Sequence, residues 1–260
     1  MLDTLQYALG AVSGGLVGFT LGLVGGGGSI LAVPLIFYLV GVPSAHMAIG
    51  TSALAVAANA ATGLISHARS HTVKWRCGTI YAAAGIVGAL AGSSLGKAFD
   101  GQRLLFLFAL LMLVVGVLML RGRADQGIEG AQCNRDNAPK VVGFGFGTGL
   151  FSGFFGIGGG FLIVPGLIAS TSMPILNAVG TSLVAVTAFG LTTALNYAAS
   201  GLVDWTLAGV FVAGGALGTY AGSRLARHLS GTRGLLNTVF AGLIFVVAAY
   251  MLWKSAAAFF

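Results

Sequence analysis

The sequence predicts an all-α polytopic membrane protein of two inverted-topology repeats, each a glycine-broken helix hairpin followed by three transmembrane helices. Three observations predict it. Of the 260 residues, 57% are hydrophobic and only 7% charged, against about a quarter charged in soluble domains. A glycine cluster running to a proline occurs twice, as Gly22–Pro34 and, 131 positions later, as Gly153–Pro165. The basic residues sort unevenly between the two faces when the second repeat is turned over.

The first repeat covers 1–120. Thr4 to Ala45 is uncharged and about double the ~20 residues that one span needs, with the cluster near its middle. Consecutive glycines deprive a helix of its best formers, so the chain is expected to break there, into two short helices of a hairpin that spans twice or re-enters. Pro43 marks the turn into the spans Met47 to Ser66, Cys77 to Gly96 and Leu104 to Leu120.

A hydrophilic linker, 121–140, leads to the second repeat, 141–260. There Val141 to about Thr171 carries the second cluster, before the spans Ile175 to Ser200, Trp205 to Ser223 and Gly234 to Trp253. The duplication extends beyond the clusters. Gly50-Thr51-Ser52 returns as Gly180-Thr181-Ser182, and Gly85, Gly88 and Gly92 return as Gly215, Gly218 and Gly222.

Orientation follows from charge. If each hairpin crosses an even number of times, Arg69, Lys74, Arg76, Arg121, Arg123, Arg135, Lys140, Arg224, Arg227 and Arg233 share the cytoplasmic side. Lys97, Arg103 and Lys254 then stay outside, ten against three. One crossing per hairpin gives parallel halves and eight against five, a weaker asymmetry. The net charge of +7 therefore reports orientation in a lipid bilayer, and nucleic acid is not an expected partner. The apolar first segment has no basic residue before it, unlike a cleavable signal peptide.

The chemistry lies in the clusters. A helix that restarts inside an apolar slab presents N–H groups with no intrahelical partner and a partial positive charge. Such a start holds an anion without a fixed charge. Dehydrating a small anion costs several kcal/mol, and each hydrogen bond to a charged group returns roughly 1.5–3 kcal/mol, so about three to five donors suffice. Two facing half-helix starts with nearby hydroxyls supply them. Glycine-rich phosphate loops are excluded, because these flanks are membrane-length apolar runs rather than a βαβ unit. Close helix packing accounts for isolated glycines but not for four in succession, Gly25 to Gly28.

Other residues read more plainly. Asn59 and Asn196 are amides inside spans, where helix-to-helix bonding is the ordinary role, and they stand as secondary candidates for the site. His46 and His67 lie near span ends and are secondary candidates for a proton relay. Cys77 and Cys133 form no Cys-x-x-Cys pair and read as structural thiols. All six carboxylates fall in loops, linkers or termini. No nucleophile and base, metal cluster or cofactor motif is present, so the expectation is no enzyme, no catalytic residue, no metal and no cofactor.

The paired glycine-to-proline segments, each followed by Gly-Thr-Ser, resemble the sulfite exporter TauE/SafE family of membrane permeases over nearly the whole chain. The resemblance implies transport of small sulfur-containing anions, such as sulfite or organosulfonates, across the bacterial cytoplasmic membrane. Carried over by position, it implicates Gly25, Gly26, Gly27, Gly28 and Ser29 with Thr51 and Ser52. In the second copy it implicates Gly156, Gly158, Gly159 and Gly160 with Thr181 and Ser182. The copies differ, since Ile157 stands where Gly26 does and Gly160 where Ser29 does. With a negative cell interior each departing anion gains about 2.3 kcal/mol per 100 mV, and no carboxylate lies in a span to couple a cation. Export by alternating rocking of the repeats is therefore expected, ahead of an anion channel or proton-coupled uptake.

Overall fold

The computed structural model describes residues 3–24, 26–121, 133–134, 136–228 and 233–256. Helix α1, Thr4–Val24, is followed by a 3₁₀ segment, Gly26–Leu31, a short turn α2, Ala32–Pro34, and a π-helical turn, Leu35–Leu39. Then come α3 (Ala45–Arg69), α4 (Trp75–Ala98) and α5 (Gly101–Arg121). The second half runs α6 (Ala138–Phe155), α7 (Gly160–Thr171), α8 (Ile175–Ala198), α9 (Trp205–His228) and α10 (Arg233–Ala256). Among the described residues there is no strand, and α1, α3, α4, α5 and α8 contain stretches long and apolar enough to cross a membrane.

Short polar side chains start the helices. Ser44 in extended conformation accepts the Met47 N–H to open α3. The Asp100 carboxylate accepts from Gln102 and Arg103 at 3.1 Å to open α5, and Asp204 accepts from Leu207 at 2.9 Å to open α9. An acidic group at a helix start also meets the favourable end of the dipole. These two acids therefore serve as caps.

The two halves of the chain embrace each other. α1 packs along α9, α6 along α4, and α5 along α10. Gly14 abuts the Phe211 backbone, Gly18 that of Gly215 and Gly222 that of Phe19, so numbers rise together and α1 and α9 run parallel. In the same way Gly88 abuts Phe146, Gly92 Leu150 and Gly96 Phe154 along α4 and α6. In lipid apolar surface gives no drive to associate, so attraction must come from close backbone approach, which only glycine permits at these points. The central pair runs the other way: Gly50 of α3 meets Tyr197 of α8, Gly190 meets Ala57, and Gly63 meets Leu183. α3 and α8 are thus antiparallel.

Each hairpin returns to the end from which it left. The Gln6 amide donates to the Val40 carbonyl at 3.0 Å, bringing the end of the first hairpin back to the start of α1. In the second, α6 begins shortly after Cys133, which is bonded to Cys77 in the first turn of α4. The segment after α7 leads into α8, whose Asn177 amide donates to Thr72 O in the loop before α4. The returning arm α7 has 12 residues, about 18 Å of helix against a hydrocarbon core of about 30 Å. At that length it is shorter than the slab is thick.

Two expectations need correction. The hairpins are not pairs of equally short helices, because α1 alone has 21 residues and α6 has 18. Nor are the cysteines thiols: Cys77 and Cys133 form a disulfide with Cα atoms 5.3 Å apart. A separation of 56 residues, with no motif spacing, hides that pairing from the sequence. Gly25 and most of the linker 121–140 lie outside the described residues.

Candidate functional site

The second glycine cluster opens the chain fully. α6 stops at Gly156, which is left-handed (φ 68°) and donates its N–H to Ser152 O at 2.8 Å, an αL cap. Gly158 and Gly159 follow at φ 64° and 67°, a region L side chains rarely enter. α7 then starts at Gly160, with Leu162 and Ile163 both donating to Gly159 O. The N–H groups of Ile157, Gly158, Gly159, Gly160 and Phe161 find no acceptor among the described residues. Several donors thus cluster where the helix dipole adds positive character.

The surroundings are buried. Ser152 is fully buried, and its Oγ, next to Gly159, is without a partner among the described residues. Ser52 Oγ donates to Ile49 O at 2.9 Å and to Gly156 O at 3.3 Å, fixing the break of one repeat from the long helix of the other. Gly158 lies between Val56 and Val186, which are equivalent in the two repeats. The break therefore sits where the repeat-related helices α3 and α8 face each other.

The first cluster behaves differently. Gly26, Gly27, Gly28 and Ser29 are wound into the 3₁₀ segment, which continues into α2 without a side-chain cap. Gly28 fits closely against the α1 backbone at Thr20 and Leu21, and Ser29 is buried. This segment packs against α7. Both clusters lead into short apolar helical stretches, Gly28–Leu39 and Gly160–Thr171, and among the described residues left-handed glycines mark the second.

The Gly-Thr-Ser triplets acquire a structural meaning. Thr51 Oγ1 accepts the Asp204 N–H at 3.0 Å, and Thr181 Oγ1 accepts the Lys74 N–H at 2.9 Å. Each buried threonine ties α3 or α8 to the N-terminus of the other repeat's α9 or α4, an exchange the sequence does not announce. Gly50 and Gly180 let the loops at Leu202 and Thr72 approach. Ser182 Oγ bonds back to Val179 O at 2.8 Å.

The secondary candidates scatter. Asn196 accepts from Lys97 Nζ at 2.9 Å and donates to Ser93 and Ser94, joining α8 to α4. His67 Nδ1 lies 2.9 Å from Thr72 Oγ1 at the end of α3. His46, at the opposite end of the bundle, has a buried Nδ1 without a partner among the described residues, and its ring centroid lies 6.4 Å from that of Tyr197. Asn59 is fully buried with neither amide atom paired. Sequence reasoning missed Ser152; its spacing one turn before the cluster is the signal that could have found it.

A family model described as sulfite exporter TauE/SafE matches residues 10–251. A probable membrane transporter protein of Xylella fastidiosa (strain 9a5c) is 55% identical over 244 residues, covering 94% of each chain. The probable membrane transporter protein YdhB of Bacillus subtilis (strain 168) is 29% identical over 212 residues, 80% of this chain and 86% of that one. No solved structure matches.

Proposed function

The chain belongs to the sulfite exporter TauE/SafE family, a family of membrane transporters, and on that premise we propose that it exports small sulfur-containing oxoanions such as sulfite or organosulfonates. The observation that carries the reading is the set of unpaired N–H groups from Ile157 to Phe161 at the buried start of α7. Beside them stand the free Ser152 hydroxyl and the 3₁₀ segment Gly26–Leu31 of the other repeat. Backbone donors hold an anion without a fixed positive charge that would slow its release. Val56 and Val186 closing on Gly158 fit one state of an alternating cycle.

The antiparallel course of α3 and α8, with both hairpins returning to their own ends, supports two inverted repeats, 1–120 and 141–260, rocking about the break. On that topology the ten-to-three count favours a cytoplasmic linker in the inner membrane. The Cys77–Cys133 bond lies on the same face.

Among the described residues Asp3, Asp100, Asp136 and Asp204 lie before or at helix starts, leaving no acid within a span to couple uptake to a cation. Proteoliposomes loaded with sulfite are therefore expected to lose it faster when their interior is made negative, by about 2.3 kcal/mol of driving force per 100 mV and charge. Flux that ignores the potential contradicts electrogenic export.

A further inference from the structure

We propose that Asn59 is the side chain that reads the cargo, and that the preferred cargo is an oxoanion bearing a hydrogen-bond donor of its own, a hydroxyl or a bound proton. The inference rests on the anion-transport reading above and names the ligand chemistry of that same site.

Asn59 is 0% exposed, and neither its Nδ2 nor its Oδ1 has a partner. Buried amides are ordinarily paired, because an unpaired polar atom keeps its desolvation penalty with nothing in return. The residue lies one helical turn from Val56, the side chain that closes on Gly158. It rests against Gly215 of α9, where any Cβ would collide with the amide.

The second repeat shows what packing alone asks of this position. With an offset of 130, Val56 corresponds to Val186, Gly215 to Gly85 and Asn59 to Phe189. Val186 touches the same Gly158, and the Phe189 ring fills the space over Gly85 while stacking on Tyr81 at 6.4 Å. An apolar ring satisfies the equivalent niche. The first repeat instead carries an amide with two donors and one acceptor, all unused among the described residues, one helical turn from the valine that meets Gly158.

The chemistry of the amide sets the ligand. The Nδ2 hydrogens suit an anionic oxygen, but Oδ1 repels a bare anion and needs a donor. An oxoanion that also carries an O–H satisfies both. A site built to hydrogen-bond such a group rejects the analogue that lacks it, because its own polar atom is left unpaired.

The test uses two monoanions of equal size and charge, hydroxyethanesulfonate and propanesulfonate, in proteoliposomes of the full chain, with sulfite as the reference anion. The wild type is expected to prefer hydroxyethanesulfonate by roughly tenfold or more. Asn59→Leu is expected to lose that preference, to keep moving propanesulfonate, and to unfold thermally no earlier than the wild type, since an apolar isostere replaces an unpaired amide. Asn59→Ser, which keeps a donor and an acceptor, is expected to retain part of the preference. Equal transport of both sulfonates by the wild type overturns the proposal while leaving anion transport standing. So does a preference unchanged in Asn59→Leu. Failure of the wild type to move sulfite as well sinks the transport reading, and this proposal with it.

Discussion

Gly158→Val is expected to abolish transport. Gly158 holds φ at 64°, and a Cβ there would lie 2.6 Å from Val56 and 3.2 Å from Val186. The left-handed conformation costs an L residue about 1–2 kcal/mol, and overpacking a filled core adds about 1–3 kcal/mol. The cheapest relief is to move the break itself, and with it the N–H groups that follow. A displacement of about 1 Å in a positioned site lowers rates on the order of a hundredfold. Gly158→Ala combined with Val56→Ala removes the clash but keeps the backbone strain, so it is expected to recover flux only in part. Sulfite efflux from proteoliposomes checks all three, with Gly209→Val, at a glycine with nothing within 4 Å, as the neutral comparison. Wild-type flux in Gly158→Val would mean that the open backbone has no role in transport.

Gly88→Leu is expected to prevent assembly of a stable protein. Its Cβ would meet Leu150 N at 2.8 Å and the Phe146 carbonyl carbon at 3.1 Å, both backbone atoms that no rotamer change can move. Leucine therefore has to push α4 off α6, and the neighbouring contacts of Gly85, Gly92 and Gly96 go with it. Helix association in lipid depends on those close contacts, so the loss is expected to exceed the ~1–3 kcal/mol of a single overpacked site. Gly143→Leu, on the exposed side of α6 with nothing within 4 Å, is expected to be tolerated. Monodisperse yield in detergent and the thermal midpoint of each variant provide the comparison.

The same glycines show how much of the fold was legible in the chain. Composition and the paired clusters led to an all-helical membrane protein, because burial in lipid leaves few options for an apolar chain. Gly85, Gly88 and Gly92 were visible as a repeated stripe, but not as the face that receives α6, since a stripe carries no address. Pairing across repeats is a long-range choice. For that reason Thr51 and Thr181 looked like ligand hydroxyls, whereas each accepts an N–H from the far repeat. The Cys77–Cys133 bond was hidden in the same way. Near-identical clusters also diverged: the copy containing Ile157 opens into left-handed glycines, while the copy containing Gly26 winds into a 3₁₀ segment. Local composition allows both outcomes, and the packing around each copy selects between them. Asn59 was visible in the sequence as an amide within a span, but its isolation stands out only beside its equivalent, Phe189, which fills the matching niche.

The central claim is that backbone N–H groups of the second break hold the anion, and Gly158 can be observed directly. Protein made with carbonyl-¹³C isoleucine and ¹⁵N glycine lights up only two amides, because Ile-Gly occurs only at Ile49-Gly50 and Ile157-Gly158. Gly50, packed against the loop at Leu202, is the internal reference. Titration with sulfite in lipid nanodiscs is predicted to shift the Gly158 amide saturably, with a midpoint matching half-maximal flux, and to shift Gly50 much less. A Gly158 amide that stays in place while flux saturates would contradict the account.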